Sequence, residues 1–262
     1  MKVIMLAAGV GRRLYGDEND HLPKALLRFG GKTLLARHLE ILGEHGIDEM
    51  TIVVGHRKDD LLTEAEAVVN ALGMGEGFLK SIFNPRYEES ALLSLWTADA
   101  VMRSGDDVLF MDADVLYHPE LMGRLMRSEH RNCFTMDREF EMDDEPVKIY
   151  LRGGEMYDFG KQMVNGYEGI AEWPGFMRMS PEIAVKVADA VQVHIDNDTE
   201  LATYETAMRD VLVSEPAGTF GYEDITGIPW TEIDFPEDVT RAEEIIFPQM
   251  EEFEPVSRAS GE

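Results

Sequence analysis

The chain has 262 residues, of which 44% are hydrophobic, so it is long enough to bury the core of one large domain. Acidic residues outnumber basic ones by 51 to 24, and the formal net charge of −27 disfavours a nucleic-acid partner. A ligand site for an anion in such a chain is expected to be locally basic. The acidic excess leaves two explanations open, an ordinary acidic surface or a saline cytoplasm.

Cysteine usage and the amino-terminal residues exclude further classes of protein. The single cysteine, Cys133, rules out a disulfide framework and a cysteine-based metal site. Residues 2–8 are apolar, but they are too few for the core of a signal peptide or for a membrane span. We therefore expect a soluble cytoplasmic protein with no membrane partner.

Predicted strands and helices alternate along the first half of the chain. Apolar runs predict the strands, and apolar stripes at helical spacing predict the helices. The order is strand 3–8, helix 33–44, strand 50–55, helix 58–72, strand 79–83, helix 91–102, strand 107–111 and helix 119–127. Such alternation is typical of an α/β fold with a mainly parallel sheet and helices on both faces. A ligand is then expected at the carboxyl ends of the strands.

The pattern becomes mixed after residue 128. Short strands are predicted at 132–136, 147–151 and 155–159, with Gly153-Gly154 as the turn of a hairpin. Helices at 181–191 and 200–212, a strand at 231–233 and a helix at 236–246 follow. We interpret residues 1–248 as a single domain and the charged residues 249–262 as a mobile acidic tail.

A glycine-rich turn, LAAGVGRR at residues 6–13, follows the first predicted strand and is a candidate phosphate loop. Two features of a dinucleotide-binding fingerprint are missing from it. Leu14 replaces the third glycine, and His56 stands where the second strand would end in an acidic residue. A Walker A loop at residues 31–33 is excluded as well, because Leu26 replaces its first glycine.

Cations in and beyond this turn suit a nucleoside triphosphate. Attack at the α-phosphate needs close backbone amides and positive charge beside the departing pyrophosphate. Residues 6–13, followed by Pro23-Lys24-Ala25-Leu26-Leu27, resemble the signature of the nucleotidyltransferase superfamily that activates sugar phosphates and choline phosphate. The resemblance implies a Rossmann-like, GT-A-like fold, with phosphate contacts from Arg13 and Lys24. The residues of the turn implied to bind the nucleotide are Leu6, Ala7, Ala8, Gly9, Gly11 and Arg12.

Two acidic segments match the metal ligands of that superfamily. Phosphoryl-type transfer at this charge density needs magnesium, which prefers oxygen ligands. Asp112-Ala113-Asp114 ends the fourth predicted strand, and the family's metal-binding aspartate matches Asp114. The late segment 232–238, EIDFPED, resembles the family segment whose first aspartate is the second metal ligand, here Asp234. Mg²⁺ is therefore the implied cofactor, and Asp112 is assigned to nucleotide binding.

Residues 84–95 resemble one branch of the superfamily. That branch contains bacterial choline-phosphate cytidylyltransferases and the cytidylyltransferases of aminoalkylphosphonates and inositol phosphate. The resemblance implies CTP as the nucleotide, with Ser90 and Ser94 beside it. Ser90 and Ala91 stand where the branch often has asparagines, so UTP and GTP stay open.

The mixed half is expected to bind the acceptor. Residues 169–176 fall where the family has a substrate-facing strand, and residues 203–205 resemble one of its helix segments. The side chains that would bind a cationic amine by charge pairing and cation–π contact are Glu172, Trp173, Tyr204, Glu205 and Trp230. A core or solvated role is an equal alternative for these residues. Lys161 matches a family lysine near the phosphates, and Lys148 is a weaker candidate.

The implied reaction is a nucleotidyl transfer. A phosphate or phosphonate oxygen of a small acceptor attacks the α-phosphate, and no covalent intermediate or general base is needed. Residues 1–128 then form the nucleotide-binding half, 129–230 the acceptor-binding half, and 231–248 the returning metal-binding segment and helix. One alternative is a sugar-1-phosphate nucleotidyltransferase using UTP, GTP or dTTP, and another is a GT-A glycosyltransferase. The oligomeric state is open, with a homodimer among the options.

Overall fold

A computed structural model describes residues 1–16, 20–142, 144–197, 199 and 202–255. Glu200, at the start of a predicted helix, and residues 256–262 of the predicted tail lie outside the described residues. The strands are β1 (Lys2–Ala7), β2 (Arg28–Phe29), β3 (Lys32–Thr33), β4 (Glu49–Val54), β5 (Leu79–Phe83), β6 (Val108–Asp112), β7 (Val115–Tyr117), β8 (Cys133–Met136), β9 (Lys148–Arg152), β10 (Glu155–Gly160), β11 (Gly169–Glu172), β12 (Phe176–Met179), β13 (Gly221–Asp224) and β14 (Trp230–Glu232). The helices are α1 (Arg12–Tyr15), α2 (Leu34–Glu44), α3 (Lys58–Ala71), α4 (Ala91–Thr97), α5 (Asp99–Met102), α6 (Pro119–Arg127), α7 (Pro181–Asp196), α8 (Tyr204–Ser214), α9 (Pro236–Arg241) and α10 (Phe247–Glu252). A 3-10 turn spans Lys24–Leu26, and a π-helical turn, Ala242–Ile246, joins α9 to α10.

Seven strands form the central sheet in the order β13-β8-β12-β6-β1-β4-β5. β6, β1, β4 and β5 are parallel to one another, and so are β13 and β8, while β12 is antiparallel to both of its neighbours. The predicted α/β fold with a mixed, mainly parallel sheet is thus confirmed. Because β1, β4 and β6 are parallel, their carboxyl ends lie at the same edge of the sheet.

Strand β1 shows why the sheet is buried on both faces. Val3 and Met5 belong to one apolar cluster and Ile4 to the other, as side-chain alternation along a strand requires. All three side chains are completely buried. Helices α2, α3 and α6 contribute to the first cluster, and α4, α5, α7 and α8 contribute to the second. Two helical layers therefore enclose a continuous apolar strand, the pattern of a parallel sheet.

Smaller sheets extend the carboxyl edge of the central sheet. The predicted hairpin at Gly153-Gly154 joins β9 to β10, and β11 pairs with the other side of β9. Strand β14 pairs antiparallel with β7, which places Trp230 opposite Tyr117 and Glu232 opposite Val115. Because β7 closely follows β6 in the chain, this pairing brings a late segment to the edge where β1 and β6 end.

Several predicted helices have different bounds in the structure, among them α7, predicted over 181–191 and ending at Asp196, and α8, predicted over 200–212 and spanning Tyr204–Ser214. The helix predicted over 91–102 is divided into α4 and α5 at Ala98, where the backbone has φ −88° and ψ 11°. The helix predicted over 236–246 continues through α10, so residues 249–252, assigned to the tail, are helical. Pro248 donates no backbone hydrogen bond to the preceding turn, which is the turn that widens into a π-helix. Within the described ranges, no helix is both long and apolar enough to cross a membrane.

Candidate active site

Residues 8–11 form the turn that connects β1 to the short helix α1. Gly11 has a φ of +78°, and a Cβ there would lie 3.2 Å from Tyr15 Cδ2 and 3.4 Å from Lys24 Cγ. A Cβ on Gly9 would meet no atom within 4 Å. The turn is therefore packed against the Lys24 stem at Gly11 and has open space at Gly9.

A cavity of about 450 Å³ opens beside this turn, at the carboxyl edge of the sheet. Most of the site residues assigned from the sequence line it. They are Leu6, Ala7, Ala8, Gly9, Gly11, Arg12, Arg13, Lys24, Ser94, Asp112, Asp114, Lys161, Trp173, Tyr204, Glu205 and Asp234. Ser94 accepts a hydrogen bond from the Asn84 amide at 3.0 Å, which fixes the hydroxyl at the cavity wall.

Lys24 lies between two of the acidic residues in the cavity. Its Nζ donates to Asp114 Oδ2 at 3.0 Å and to Asp234 Oδ1 at 2.6 Å. Burial alone would lower the pKa of the Lys24 ammonium, but the two aspartates outweigh it and raise the pKa above its ordinary value. The lysine is therefore held as a cation between two carboxylates.

Arg13 extends these contacts into a continuous ion-pair chain. It lies 2.8 Å from the second oxygen of Asp234 and 2.6 Å from Glu145. Lys161 contacts the same Glu145 oxygen at 3.7 Å. The ion-pair chain thus consists of Glu145, Arg13, Asp234, Lys24 and Asp114. Arg12 is paired instead with Glu88 at 2.9 Å, at the rim of the cavity.

An acidic cluster of Asp114, Glu232 and Asp234 offers three carboxylate oxygens within 4.8 Å of one another. The Ile233 N–H donates to the Asp114 carbonyl at 2.9 Å, which ties the β14 end to the turn after β6. Desolvation in the cavity raises the pKa of the Glu232 carboxyl well above its ordinary value, and repulsion from both aspartates adds to the effect. Oxygen donors that repel one another at this spacing fit Mg²⁺. We refer to the ion-pair chain and the acidic cluster together as the ionic side.

Asp112 has different contacts from the acidic cluster, although it is the last residue of β6 and directly precedes the turn that carries Asp114. Its Oδ2 accepts a hydrogen bond from the Tyr204 hydroxyl at 2.9 Å. Burial raises the pKa of Asp112 well above its ordinary value, and the charge of Asp114 adds to that rise. Gly175 lies against it with φ +89°, and a Cβ there would be 2.7 Å from Asp112 Oδ2. The glycine at position 175 therefore lets the backbone lie close to the Asp112 carboxyl, which also contacts Tyr204.

Another part of the cavity lining is the aromatic side, formed by Trp173, Tyr204 and Glu205. Trp173 is buried, its Nε1–H donates to the Phe176 carbonyl at 2.9 Å, and its ring lies 6.4 Å from that of Tyr204. Glu205 Oε2 is buried without a hydrogen-bond partner among the described residues. Because buried carboxylate oxygens are normally hydrogen-bonded, this atom is a candidate contact for a ligand.

Three predicted site residues are not brought to the cavity. Ser90 caps α4 by accepting from the Leu92 N–H at 3.1 Å. Trp230 is buried in the core, where its Nε1–H donates to Asp137 at 2.7 Å. Glu172 pairs through its backbone with Asp137, on the side of β11 that faces away from β9. Capping and strand pairing therefore account for where the fold places these three residues. None of the three lines the cavity, contrary to the sequence prediction.

The remaining lysine candidate, Lys148, is also not a cavity residue. Its side chain is completely buried, and its Nζ donates to the Pro146 carbonyl at 3.0 Å and to the Lys161 carbonyl at 3.3 Å. These bonds connect the strand that carries Lys148 to the loop that carries Lys161. Lys148 therefore supports the position of Lys161 instead of facing a ligand.

The charge of the cavity differs from the locally basic site expected above. Among the described residues that line it are four cationic and six acidic side chains. The cations are Arg12, Arg13, Lys24 and Lys161, and the acids are Asp112, Asp114, Glu145, Glu205, Glu232 and Asp234. The expectation of a locally basic site is wrong because acidic side chains outnumber the cations in the cavity and form ion pairs with them. An anionic ligand therefore needs a further cation to enter with it.

Two charged cavity residues were missed by the sequence reasoning. Glu232 had a signal, because it precedes Asp234 by two positions and alternate residues of a strand share a face. Glu145 had none, since it comes from a loop between β8 and β9 with no pattern of its own. Only the folded chain brings Glu145 to Arg13.

Comparison with known proteins agrees with this geometry. Residues 3–160 match the family model described as a MobA-like NTP transferase domain. A protein named bifunctional IPC transferase and DIPP synthase, from Rubrobacter xylanophilus, is 28% identical over 245 residues, which are 92% of this chain and 51% of that protein. The chain spans about half the length of the first curated relatives that it matches.

Two solved structures share the fold over nearly the whole chain. The inositol-1-phosphate CTP transferase from T. maritima has a TM-score of 0.72 and 20% identity, covering 95% of this chain and 94% of that one. The CTP:phosphocholine cytidylyltransferase from Streptococcus pneumoniae has a TM-score of 0.68 and 21% identity, covering 93% and 98%. The expected Rossmann-like nucleotidyltransferase fold and the resemblance to cytidylyltransferases are confirmed.

Proposed function

We propose a reaction for this chain from the premise that it belongs to the MobA-like NTP transferase family. The reaction is transfer of CMP from CTP to a small phosphorylated or phosphonate acceptor, with release of pyrophosphate. The observation that carries the proposal is the meeting of the glycine turn, Lys24, Asp114 and Asp234 in one cavity. CTP is proposed as the donor because two proteins of the same fold are named as CTP-dependent transferases.

The residues of the turn and the ionic side supply the chemistry of this transfer. The open space at Gly9 admits the phosphates, and Arg13 and Lys24 provide positive charge beside them. An acceptor oxygen forms a bond to the α-phosphorus, the bond to the bridging oxygen breaks, and pyrophosphate leaves with the electron pair. The two cations offset the charge on pyrophosphate. An acceptor phosphate is ionised near neutral pH, so no side chain has to remove a proton.

The acidic cluster would hold the magnesium ion of the proposed reaction. Bound there, Mg²⁺ supplies Lewis-acid stabilisation of phosphate charge. Asp114 and Asp234, two of the residues that would hold it, also hold Lys24, so the lysine would have to give up these contacts for the ion to bind. Lys24 displaced in this way keeps its charge and is suited to contact a phosphate.

The aromatic side supports an acceptor that carries an amine. The buried Glu205 Oε2 lacks a donor within the described residues, and an ammonium group would supply one. Trp173 and Tyr204 present aromatic surface in the same wall, which suits a cation as well. A phosphocholine-type or 2-aminoethylphosphonate-type acceptor combines such a cation with the phosphorus group that reacts.

A phosphorylated sugar or polyol is the second acceptor class. The name of the T. maritima protein, an inositol-1-phosphate CTP transferase, favours it. Asp112 and Glu205 would then accept hydrogen bonds from hydroxyl groups. The two classes differ in whether the acceptor needs the charge of Glu205 or only its oxygen atoms.

A pyrophosphate-release screen tests the proposal. CTP, UTP, GTP and dTTP are each combined with Mg²⁺ and with phosphocholine, 2-aminoethylphosphonate, phosphoethanolamine or a set of sugar 1-phosphates. We expect release with CTP and an amine-bearing acceptor. Release only with a sugar 1-phosphate would select the second class. Hydrolysis or transfer of a nucleotide sugar, without release from any pair, would overturn the proposal in favour of a glycosyltransferase.

A further inference from the structure

A buried histidine and tyrosine lie behind the Asp112-Ala113-Asp114 turn and have no part in the chemistry above. His38, on α2, is 1% exposed. Its Nε2 lies 3.2 Å from the Ala113 carbonyl oxygen, and its Nδ1 lies 3.3 Å from the Tyr117 hydroxyl. The two rings stack with their centroids 5.3 Å apart. A polar pair this deep in an apolar layer requires a reason.

The hydrogen-bond pattern assigns the protons of this pair. A carbonyl oxygen only accepts, so His38 Nε2 carries the hydrogen that it donates to Ala113. Burial lowers the pKa of His38 to about 4, so the ring is neutral near pH 7 and Nδ1 accepts the Tyr117 hydroxyl proton. A directed chain therefore runs from Tyr117 through His38 to the backbone of the turn.

Both ends of this chain lie on the segment that carries Asp114 and that pairs with β14. Ala113 is the residue directly before Asp114, so its carbonyl orients the peptide unit that leads to that carboxylate. Tyr117 lies on β7 opposite Trp230, and the same ladder places Val115 opposite Glu232. Both bonds of His38 are therefore made to residues 113–117, the segment that carries Asp114 and that pairs with the segment carrying Glu232.

We propose that His38 and Tyr117 are positioning residues that fix Asp114 relative to Glu232 and Asp234, and so determine how tightly the acidic cluster binds a divalent cation. Neither residue contacts the ligand. Without a donor at Ala113, the carbonyl of the peptide unit before Asp114 loses its hydrogen bond, and the direction of the carboxylate is less closely fixed. The inference rests on the proposed function only for the use of the cation in the reaction.

Mn²⁺ binding to the full chain, followed by titration calorimetry, tests this inference. His38→Leu removes the donor and is expected to weaken Mn²⁺ binding about tenfold or more. His38→Gln places an amide N–H near the Nε2 position but leaves the Tyr117 hydroxyl without its acceptor, so its affinity is expected to fall no more than about fivefold, as in Tyr117→Phe. Tyr117→Phe removes only the hydrogen bond between Tyr117 and His38, and it is expected to weaken Mn²⁺ binding about fivefold.

Controls separate positioning from loss of structure. Asp234→Asn is expected to abolish binding, which assigns the heat to the acidic cluster. His45→Gln, at the partly exposed end of α2, is expected to bind as the original chain does. Thermal unfolding of each variant establishes that it is folded at the titration temperature. If His38→Leu does not fold, the Mn²⁺ affinity of Tyr117→Phe decides.

Three outcomes would overturn the inference: unchanged Mn²⁺ affinity in folded His38→Leu, unchanged affinity in Tyr117→Phe, or no saturable Mn²⁺ binding by the original chain. These outcomes are separate from failure of the proposed function. Weakened binding in the variants, with no pyrophosphate release from any substrate pair, would leave the positioning pair in place and remove the reaction. Pyrophosphate release together with unchanged Mn²⁺ affinity in the variants would support the reaction and overturn the positioning role.

Discussion

The two sides of the cavity satisfy their charges in different ways. On the ionic side, Lys24 and Arg13 are joined to Asp114, Asp234 and Glu145 before any ligand binds. On the aromatic side, Glu205 Oε2 is buried without a partner among the described residues. A ligand would exchange existing ion pairs on the first side and supply a missing contact on the second. Changes on the ionic side should therefore affect turnover, whereas changes on the aromatic side should affect the choice of acceptor.

Asp234→Asn tests the ionic side most severely. This carboxylate is shared by Lys24, Arg13 and the acidic cluster, so its loss is expected to lower kcat/KM about 1,000-fold, or roughly 4 kcal/mol. Pyrophosphate release with the substrate pair found in the screen measures the effect. Glu237→Gln, an exposed carboxylate in the same segment, is the matched control and should keep full activity. A tenth or more of the original activity in Asp234→Asn would remove it from the site.

The neutral His38 behind the ionic side predicts a pH dependence of stability. Its pKa is lowered from 6.5 to about 4 in the folded chain, so the unfolded chain binds a proton more readily. The stability from this group is therefore present above pH 6.5 and is lost as the pH falls to about 4. The loss is roughly 3 kcal/mol. Urea unfolding of the original chain and of His38→Gln between pH 7 and pH 4 measures this loss. An equal pH dependence of the unfolding free energy in both would contradict the prediction.

Lys24→Met separates the two roles given to this lysine. Turnover is expected to fall about 100-fold because a cation is lost beside the departing pyrophosphate. Mn²⁺ binding without nucleotide is expected to tighten about tenfold, because the ammonium no longer competes for Asp114 and Asp234. Calorimetry measures the second effect, with Lys32→Met, an exposed lysine paired with Glu40, as the control. Weaker Mn²⁺ binding would show that lysine and metal do not compete.

Glu205→Gln tests the aromatic side. The KM for an amine-bearing acceptor is expected to rise about tenfold, since a charge-assisted contact is replaced by a neutral one, while kcat stays within about twofold. The KM for CTP should not change. Steady-state kinetics with a sugar 1-phosphate as the comparison acceptor makes the test specific. A rise in the KM for CTP instead would place Glu205 on the nucleotide.

Trp230→Phe has the smallest expected effect on activity. The indole N–H donates to Asp137 in the core, so its loss should cost about 1 kcal/mol of unfolding free energy. Because Trp230 is not among the residues that line the cavity, kcat/KM should stay within about twofold of the original. Chemical unfolding and acceptor kinetics measure the two quantities. A tenfold rise in the KM for the acceptor would restore Trp230 as an acceptor-binding residue.

The glycine turn and the central sheet were predictable because their signals are local. Residues 6–13 carry the turn, and the apolar run before them predicts the strand that delivers it to the sheet edge. Asp114 and Asp234 were found by resemblance to family segments, and the fold brings both to Lys24. The two aspartates and the turn could therefore be identified from contiguous motifs, which a sequence displays directly.

The aromatic side was less predictable because it depends on where a strand ends and on how it pairs. Trp173 and Glu172 are neighbours in sequence, yet only Trp173 lines the cavity, because β11 ends at Glu172, which pairs with Asp137, and Trp173 follows the end of the strand. Ser90 precedes a helix, where capping uses its hydroxyl. Glu145 comes from an irregular loop. Strand register and loop geometry are set by tertiary contacts that one sequence does not contain.

The bond between Lys24 and Asp234 joins residues that are 210 positions apart. Loop closure over such a distance is slow relative to the pairing of neighbouring strands. A growing chain that has not yet reached β14 carries the glycine turn and Lys24, but it lacks two of the three carboxylates of the acidic cluster. The acidic cluster can therefore be completed only after β14 has been synthesised, when every strand of the central sheet is already present in the chain.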